Sequence, residues 1–188
     1  MAALIRATVC TANPHKLEEF HALFPDWDLA LLEGVEFPPE DGETYLDNAR
    51  IKVRHGRIVG PPDRWMLGDD SGIELAALGG GPGVVTARWA EGRHVERLLA
   101  ALDGEANRAA QYVCELVALS PDRREVRGTG VLRGEIAHAP AGTEGFGFDP
   151  VFVPHGETRT VAELGDDWKA VHSHRAIAAR ALRDALGA

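Results

Sequence analysis

The chain has 188 residues, 45% of them apolar and 26% charged, which excludes general disorder and suits one domain with its own core. Acidic residues outnumber basic ones 29 to 20, a formal charge of −9, so the basic surplus of a nucleic-acid backbone binder is missing. A small phosphate ligand stays open, because a few local cations and a divalent metal can reverse the field inside one site.

At this length folding should bury roughly 70% of the extended surface, so no metal or disulfide staple is needed. Cys10 and Cys114 make neither a ligand spacing nor a disulfide framework, and a reducing, cytoplasmic compartment is expected. No stretch of about 18 apolar residues suggests a membrane span. Met1 to Cys10 carries Arg6 inside a short apolar run and reads as a strand, not a signal peptide.

In chain order, Ala3 to Cys10 is expected to be a buried strand. Thr11 to Pro14 is a turn, with Pro14 at the first position of a helix reaching about Leu23. Trp27 to Leu32 forms a second strand, and Glu36 to Gly42 an acidic loop. A helix begins at Thr44, with Asp47 three residues on, and ends at Gly60-Pro61-Pro62. Trp65 to Leu67 is read as a short strand entering a loop, Gly68-Asp69-Asp70-Ser71-Gly72, with Ile73 to Leu78 continuing as strand or turn. The glycines at 79 to 83 lack a Gly-x-Gly-x-x-Gly pattern and read as a structural turn. Arg93 to Leu102 is helical, and Tyr112 to Leu119 and Glu125 to Ile136 are antiparallel strands joined through Ser120-Pro121-Asp122. Val151 to Val153 is a further strand, and a last helix occupies most of Ser173 to Leu186, with Val171, Ala178, Leu182 and Ala185 on an apolar stripe. The order implies a mixed α/β fold.

Cation usage is skewed. Of 20 basic residues only three are lysine, Lys16, Lys52 and Lys169. All three fall in segments where chemistry is plausible. Thr11-Ala12-Asn13-Pro14-His15-Lys16 lies between strand and helix, where turn amides, a hydroxyl and an ammonium make an anion site; an ordinary capped turn is the other reading. Thr44, Asn48 and Lys52 share one helical face, which either lines a site or meets solvent. Asp69-Asp70-Ser71-Gly72 sets two carboxylates after an apolar strand, and oxygen ligands of this kind suit Mg²⁺. Extended neighbours point in opposite directions, so the two aspartates should have different jobs; an Asx-type turn is the alternative. Gly145-Phe146-Gly147-Phe148-Asp149-Pro150 offers aromatic faces to a nucleobase or fills a core. His172 and His174 would diverge on a helix, which argues against a shared metal, while Ser173 suits a cap.

Together these segments, with Glu40, Leu78 to Arg88-Trp89 and Lys169 to Arg175, resemble the Ham1-like inosine triphosphate pyrophosphatase family over nearly the whole chain. The resemblance implies an elongated α/β fold with a mixed curved sheet and flanking helices, two lobes around a central cleft, all of 1–188 as one domain, and a homodimer. It implies hydrolysis of ITP, dITP and XTP to the monophosphate and pyrophosphate, cleansing the nucleotide pool. Thr11, Asn13, Lys16, Lys52 and Lys169 would hold the triphosphate, and Glu40 and Asp70 would hold Mg²⁺. Asp70 would also be the base for water, Ser71 would touch substrate, and Phe146, Gly147, Phe148, Asp149, His174 and Arg175 would form the base pocket. Asp69 is open between a second metal ligand and a buried partner. Phe148 and Trp89 stand where tyrosine is usual, and His172 where an aliphatic residue is usual, which touches fine specificity rather than the reaction. Maf-like pyrophosphatases fit these motifs less well, and the Nudix pattern is absent. A nucleotide-binding regulator without turnover would lack the carboxylates, whereas Glu40 and Asp70 are both present.

Overall fold

A computed structural model of the chain describes residues 4–187. A six-stranded mixed sheet in the order β2-β1-β3-β4-β5-β6 is flanked by helices, the mixed α/β class expected from the element order. The strands are β1 (Arg6–Val9), β2 (Asp28–Leu31), β3 (Trp65–Leu75), β4 (Ala109–Leu119), β5 (Glu125–Ile136) and β6 (Phe152–Pro154). The helices are α1 (Pro14–Leu23), α2 (Tyr45–Val59), α3 (Thr86–Ala90), α4 (His94–Ala101), α5 (Val161–Leu164), α6 (Asp166–His172) and α7 (His174–Leu186). β1 runs parallel to both β2 and β3, while β5 and β6 are antiparallel. No helix among the described residues is long and apolar enough to cross a membrane.

The chain divides into two compact units. One comprises the residues up to Asp70, Cys114–Gly130 and those from Arg175 on; the other comprises Ser71–Val113 and Val131–His174. In the first unit the period of two along the strands sorts side chains to two helical layers. Ala7, Val9, Leu67, Leu116 and Ala118 join Phe20 and Phe24 of α1 and Ala178 and Leu182 of α7 in one cluster. Met66, Val117 and Leu119 join Ala49 and Val53 of α2 in another. In the second unit Ile73, Leu75, Tyr112, Ile136, Phe148, Val151 and Phe152 pack with Leu98 and Leu102. Each fully buried side chain of this size contributes roughly 1.5–3 kcal/mol.

α2 starts where its cap dictates. Thr44 is extended and its hydroxyl accepts from the Asp47 amide at 3.1 Å, satisfying one donor of the first turn. Tyr45, Asn48, Ala49, Lys52, Val53 and Gly56 are its buried face, a 3.6-residue period in which two polar positions replace apolar ones.

Several expectations are corrected. Gly68 to Gly72 is no loop, since β3 runs without interruption through both aspartates. The strand absorbs polar residues because their side chains find buried partners on both faces. The expected strand start at Ala3 lies outside the described residues, and β1 begins at Arg6. The last helix, His174–Leu186, fills most of the expected Ser173 to Leu186, and Ser173 is extended and ends α6. Its buried face is Arg175, Ala176, Ala178, Ala179 and Leu182, whereas Val171 on α6 is 53% exposed and Ala185 is exposed. Helix α5 has a capping box, Thr160 with Glu163, a signal present in Thr160-Val161-Ala162-Glu163 that the sequence reading passed over.

β5 meets α7 closely at Gly128. A Cβ there would lie 2.0 Å from the Ala178 carbonyl oxygen and 2.5 Å from the Leu182 nitrogen, so only glycine fits. Gly128→Ala should therefore destabilise by about 1–3 kcal/mol or more, read by urea denaturation. Arg127→Ala on the exposed face should stay within about 0.5 kcal/mol; equal losses would show that the helix can move aside.

Candidate functional site

Adjacent residues of an extended strand face opposite ways, so β3 presents Asp69 and Asp70 to different layers. Asp69 follows the parity of Leu67, toward α1 and α7. Its Oδ1 receives Lys16 Nζ at 2.9 Å, and its Oδ2 receives Arg175 through Nε at 3.2 Å and a second guanidinium nitrogen at 3.0 Å. The same guanidinium reaches Glu19 on α1. Asp69 is wholly enclosed. Burial opposes its ionisation, yet the charges of Lys16, Arg175 and, more weakly, Lys52 outweigh that and hold it below the ordinary carboxylate range. Asp69 is thus a buried partner of two cations. Beside it Cys114 is a buried thiol whose pKa burial raises.

Asp70 faces the α2 layer. Asn48 Nδ2 donates to its Oδ2 at 2.9 Å, and Lys52 Nζ stands 3.8 Å from its Oδ1. Lys52 also meets Glu40 Oε2 at 3.1 Å, so one buried ammonium joins both carboxylates proposed as metal ligands. Burial raises the Asp70 pKa; Lys52 and the Asn48 amide pull it back, and Glu40 adds to the rise. A carboxylate so placed is short of positive charge and readier to take a proton than one in water. Two hard oxygen donors fit Mg²⁺, which commonly takes one or two carboxylates together with substrate phosphates. Among the described residues no group of three or more His, Cys, Asp or Glu gathers as a ready-made cage.

The turn after β1 is ordered by its own side chains. The Asn13 amide donates to Thr11 Oγ1 at 3.1 Å, and the Lys16 amide to the Asn13 carbonyl at 3.2 Å. Thr11 is buried. Thr11, Asn13, Lys16, Glu40, Lys52, Asp70 and Arg175 all belong to the first unit.

Ser71, Phe146, Gly147, Phe148, Asp149, Lys169 and His174 belong to the second. There Asp149 Oδ2 accepts from the Phe146 amide at 2.9 Å and from Lys169 Nζ at 2.9 Å. That turn requires glycine at 145, where φ is +75° and a Cβ would sit 2.2 Å from the Asp149 carboxylate. Lys169 Nζ lies 4.4 Å from the centre of the Phe146 ring, in cation–π range. The two phenylalanines differ in fate. Phe146 is 38% exposed, whereas Phe148 is 3% exposed and meets His94 edge to face at 5.0 Å, so Phe148 is core and offers no stacking face. His174 stacks on Tyr112 with centroids 4.7 Å apart and planes at 15°. Arg175, expected in the base pocket, gives its guanidinium to Asp69 and Glu19.

Sequence reasoning missed Glu19 and Tyr112, which no motif marks; each is found only through its partner in space. Asn48 was visible as part of a polar helical file without its acceptor.

Asp69→Asn should cost about 3–5 kcal/mol at pH 7, because it takes the enclosed counter-charge from Lys16 and one of two from Arg175. The depressed pKa of Asp69 means its contribution is full above the unfolded carboxyl value of about 3.9 and fades as pH falls toward the folded value. The gap between parent and variant in urea melts should hold from pH 7 to about 5 and narrow in stronger acid. A gap under about 1 kcal/mol at pH 7 would show that Lys16 and Arg175 find other counter-ions.

Comparison with known proteins places this geometry in a lineage. A model described as the Ham1 family matches residues 7–185. A dITP/XTP pyrophosphatase of Bdellovibrio bacteriovorus is 39% identical over 191 aligned residues, covering 95% of this chain and 96% of that protein. One from a Nostoc species is 38% identical, covering 96% and 93%. Among solved structures, a HAM1 protein from Coxiella burnetii superposes with a TM-score of 0.84 at 31% identity, covering 98% of this chain and 99% of that one. The Staphylococcus aureus Ham1 protein gives 0.83 at 30%, covering 97% and 98%. On a match running from β1 into α7, the chain belongs to the Ham1 family.

Proposed function

We propose that this protein hydrolyses non-standard purine nucleoside triphosphates, ITP, dITP and XTP, to the monophosphate and pyrophosphate, as a Mg²⁺-dependent hydrolase acting on an acid anhydride. Relatives named dITP/XTP pyrophosphatase support the reaction and substrate class. The single observation that carries the chemistry is the buried Lys52 Nζ between Glu40 and a buried Asp70.

Glu40 and Asp70 would hold Mg²⁺, which when bound withdraws charge from phosphate oxygens. The chain's own residues do the rest. Thr11, Asn13 and the turn amides donate hydrogen bonds to phosphate oxygens beside the start of α1. Lys16, Lys52 and Lys169 act as point charges on the polyphosphate, stabilising charge that develops on the leaving pyrophosphate. Asp70 orients a water for attack on the α-phosphorus and takes its proton. Phe146 presents the exposed aromatic face for the base, while Gly147, Asp149, Ser71 and His174 supply polar and main-chain contacts around it. Phe148 acts from the core by fixing that turn. A homodimer and a cytoplasmic location belong to the same proposal, the latter supported by two buried free thiols.

Asp70→Asn keeps size while removing charge and basicity, so it should fold with an unchanged melting temperature and lose about 10²- to 10⁴-fold in kcat. Activity within a few-fold of the parent would remove Asp70 from the base role.

Substrate choice is tested with ITP, dITP, XTP and the four standard triphosphates in Mg²⁺, assaying pyrophosphate and orthophosphate separately. Hypoxanthine and xanthine share a 6-oxo acceptor, whereas adenine presents a donor there. Facing a donor with a donor leaves buried groups unpaired at about 1–3 kcal/mol each, and such mismatches reach roughly 10⁴-fold in discrimination. Guanine shares the oxo group, so its rejection must rest on the 2-amino group. Pyrophosphate from the first three, with ATP and GTP far slower, is the expected outcome. Orthophosphate as first product, or equal rates on ATP, would sink the proposal.

A further inference from the structure

The buried face of α2 carries more than Lys52. One turn earlier lies Asn48, with no exposed surface at all. Its Nδ2 donates to Asp70 Oδ2 at 2.9 Å, and its Oδ1 accepts from the Gly42 amide at 2.8 Å. These partners fix which way the amide points, because a flipped group would set NH₂ against N–H and carbonyl against carboxylate. Gly42 is two residues from Glu40, in the loop that enters α2. One helical face therefore grips Asp70 twice, through Asn48 on one oxygen and Lys52 near the other. It also grips the loop of Glu40 twice, through Asn48 at Gly42 and Lys52 at Glu40.

We propose that Asn48 is a positioning residue for hydrolysis, holding the plane of the Asp70 carboxylate and the register of the Glu40 loop through the two ends of one buried amide. The inference rests on the reading of Asp70 given above and adds a residue that touches neither phosphate nor base. An aspartate held on one side only keeps freedom about its last torsion, which is broad and roughly two-fold. Misplacing a reacting group by about 1 Å can cost on the order of 10²-fold in rate. A loss of this kind falls on the chemical step, because Asn48 makes no contact that substrate binding would use.

Gly42 offers an independent way to break the same link. A Cβ there would lie 2.7 Å from Asn48 Oδ1 and 2.6 Å from Asp47 Cβ, so alanine must displace the amide without altering Asn48 itself. Thr44 gives the matching control, since it caps α2 at Asp47 and meets neither Asp70 nor Gly42 in this network.

The test compares Asn48→Ala, Asn48→Asp, Gly42→Ala and Thr44→Ala with the parent, using dITP and Mg²⁺. Beside it runs calorimetric titration of the nucleotide-free protein with Mn²⁺. Asn48→Ala and Gly42→Ala should lower kcat by about 10- to 100-fold with KM moving less than threefold. Both should weaken Mn²⁺ binding several-fold. Asn48→Asp should fall further in kcat, because it turns a carboxylate toward Asp70. Thr44→Ala should lower the melting temperature and leave kcat within twofold and Mn²⁺ binding unchanged. If Asn48→Ala does not fold, Gly42→Ala alone decides. Unchanged kcat in the folded Asn48→Ala or Gly42→Ala protein overturns the proposal, as does a loss of kcat in Thr44→Ala as large as theirs. The two readings fail separately: an active Asp70→Asn protein overturns the base, whereas an active Asn48→Ala protein beside an inactive Asp70→Asn protein overturns only the positioning.

Discussion

The alternation of a single extended strand across Asp69 and Asp70 is the constraint on which the site depends. Two neighbouring carboxylates in a loop would share one solvent environment and repel each other. In β3 they are sent to opposite layers, and each meets a different helix. Asp69 meets two cations and ionises readily; Asp70 meets one ammonium and one amide, with Glu40 nearby, and resists ionisation. Identical side chains one residue apart thus acquire opposite shifts in proton affinity from the different partners that the strand gives them. A register slip of one residue would exchange them, and the buried apolar residues on the two faces of the strand, Met66 and Leu67, oppose that slip.

The same geometry explains where the lysines went. Each of the three sits in a largely enclosed ion pair: Lys16 with Asp69, Lys52 with Glu40 and Asp70, and Lys169 with Asp149. Arginine serves the outer pairs, such as Arg50 with Glu125 and Arg183 with Asp26. An ammonium fits a narrow gap between two carboxylates as a point charge, whereas a planar guanidinium demands a matching fork. Arg64 and Arg175 are buried exceptions, and Arg175 is flanked by Asp69 and Glu19 as a fork requires. Overall charge of −9 therefore says little about the local field. What matters is that the positive groups are held in place by carboxylates.

Much of this was legible in the sequence, for reasons that differ by element. α1, α2 and the hairpin of β4 and β5 were readable because Pro14, the Thr44 cap and Ser120-Pro121-Asp122 are local signals. β3 was misread at its centre because four of five residues from Gly68 to Gly72 are poor strand formers, and only tertiary partners make the strand hold. The opposed aspartates were foreseen from period two, but not which carboxylate would meet two cations, since Arg175 is 106 residues from Asp69. Such pairings carry no sequence spacing. Tyr112 under His174 and Glu19 beside Arg175 were hidden for the same reason.

The split between Phe146 and Phe148 shifts where base specificity can reside. The sequence showed two aromatics between glycines, and the absence of a hydroxyl at 148 looked like a departure with consequences. With Phe148 3% exposed and against His94, a hydroxyl there would point into packing or reach a local partner, not a base. The ring that remains available is Phe146. Its exposure is shaped by Lys169 over its face and by the Asp149 carboxylate holding its amide. Asp149 thus fixes backbone and cation together: the same Oδ2 that orders the turn also anchors the ammonium. The turn amide of Phe146 and the ammonium beside its ring therefore share one acceptor, so the backbone that presents the ring and the charge over its face are set by a single oxygen.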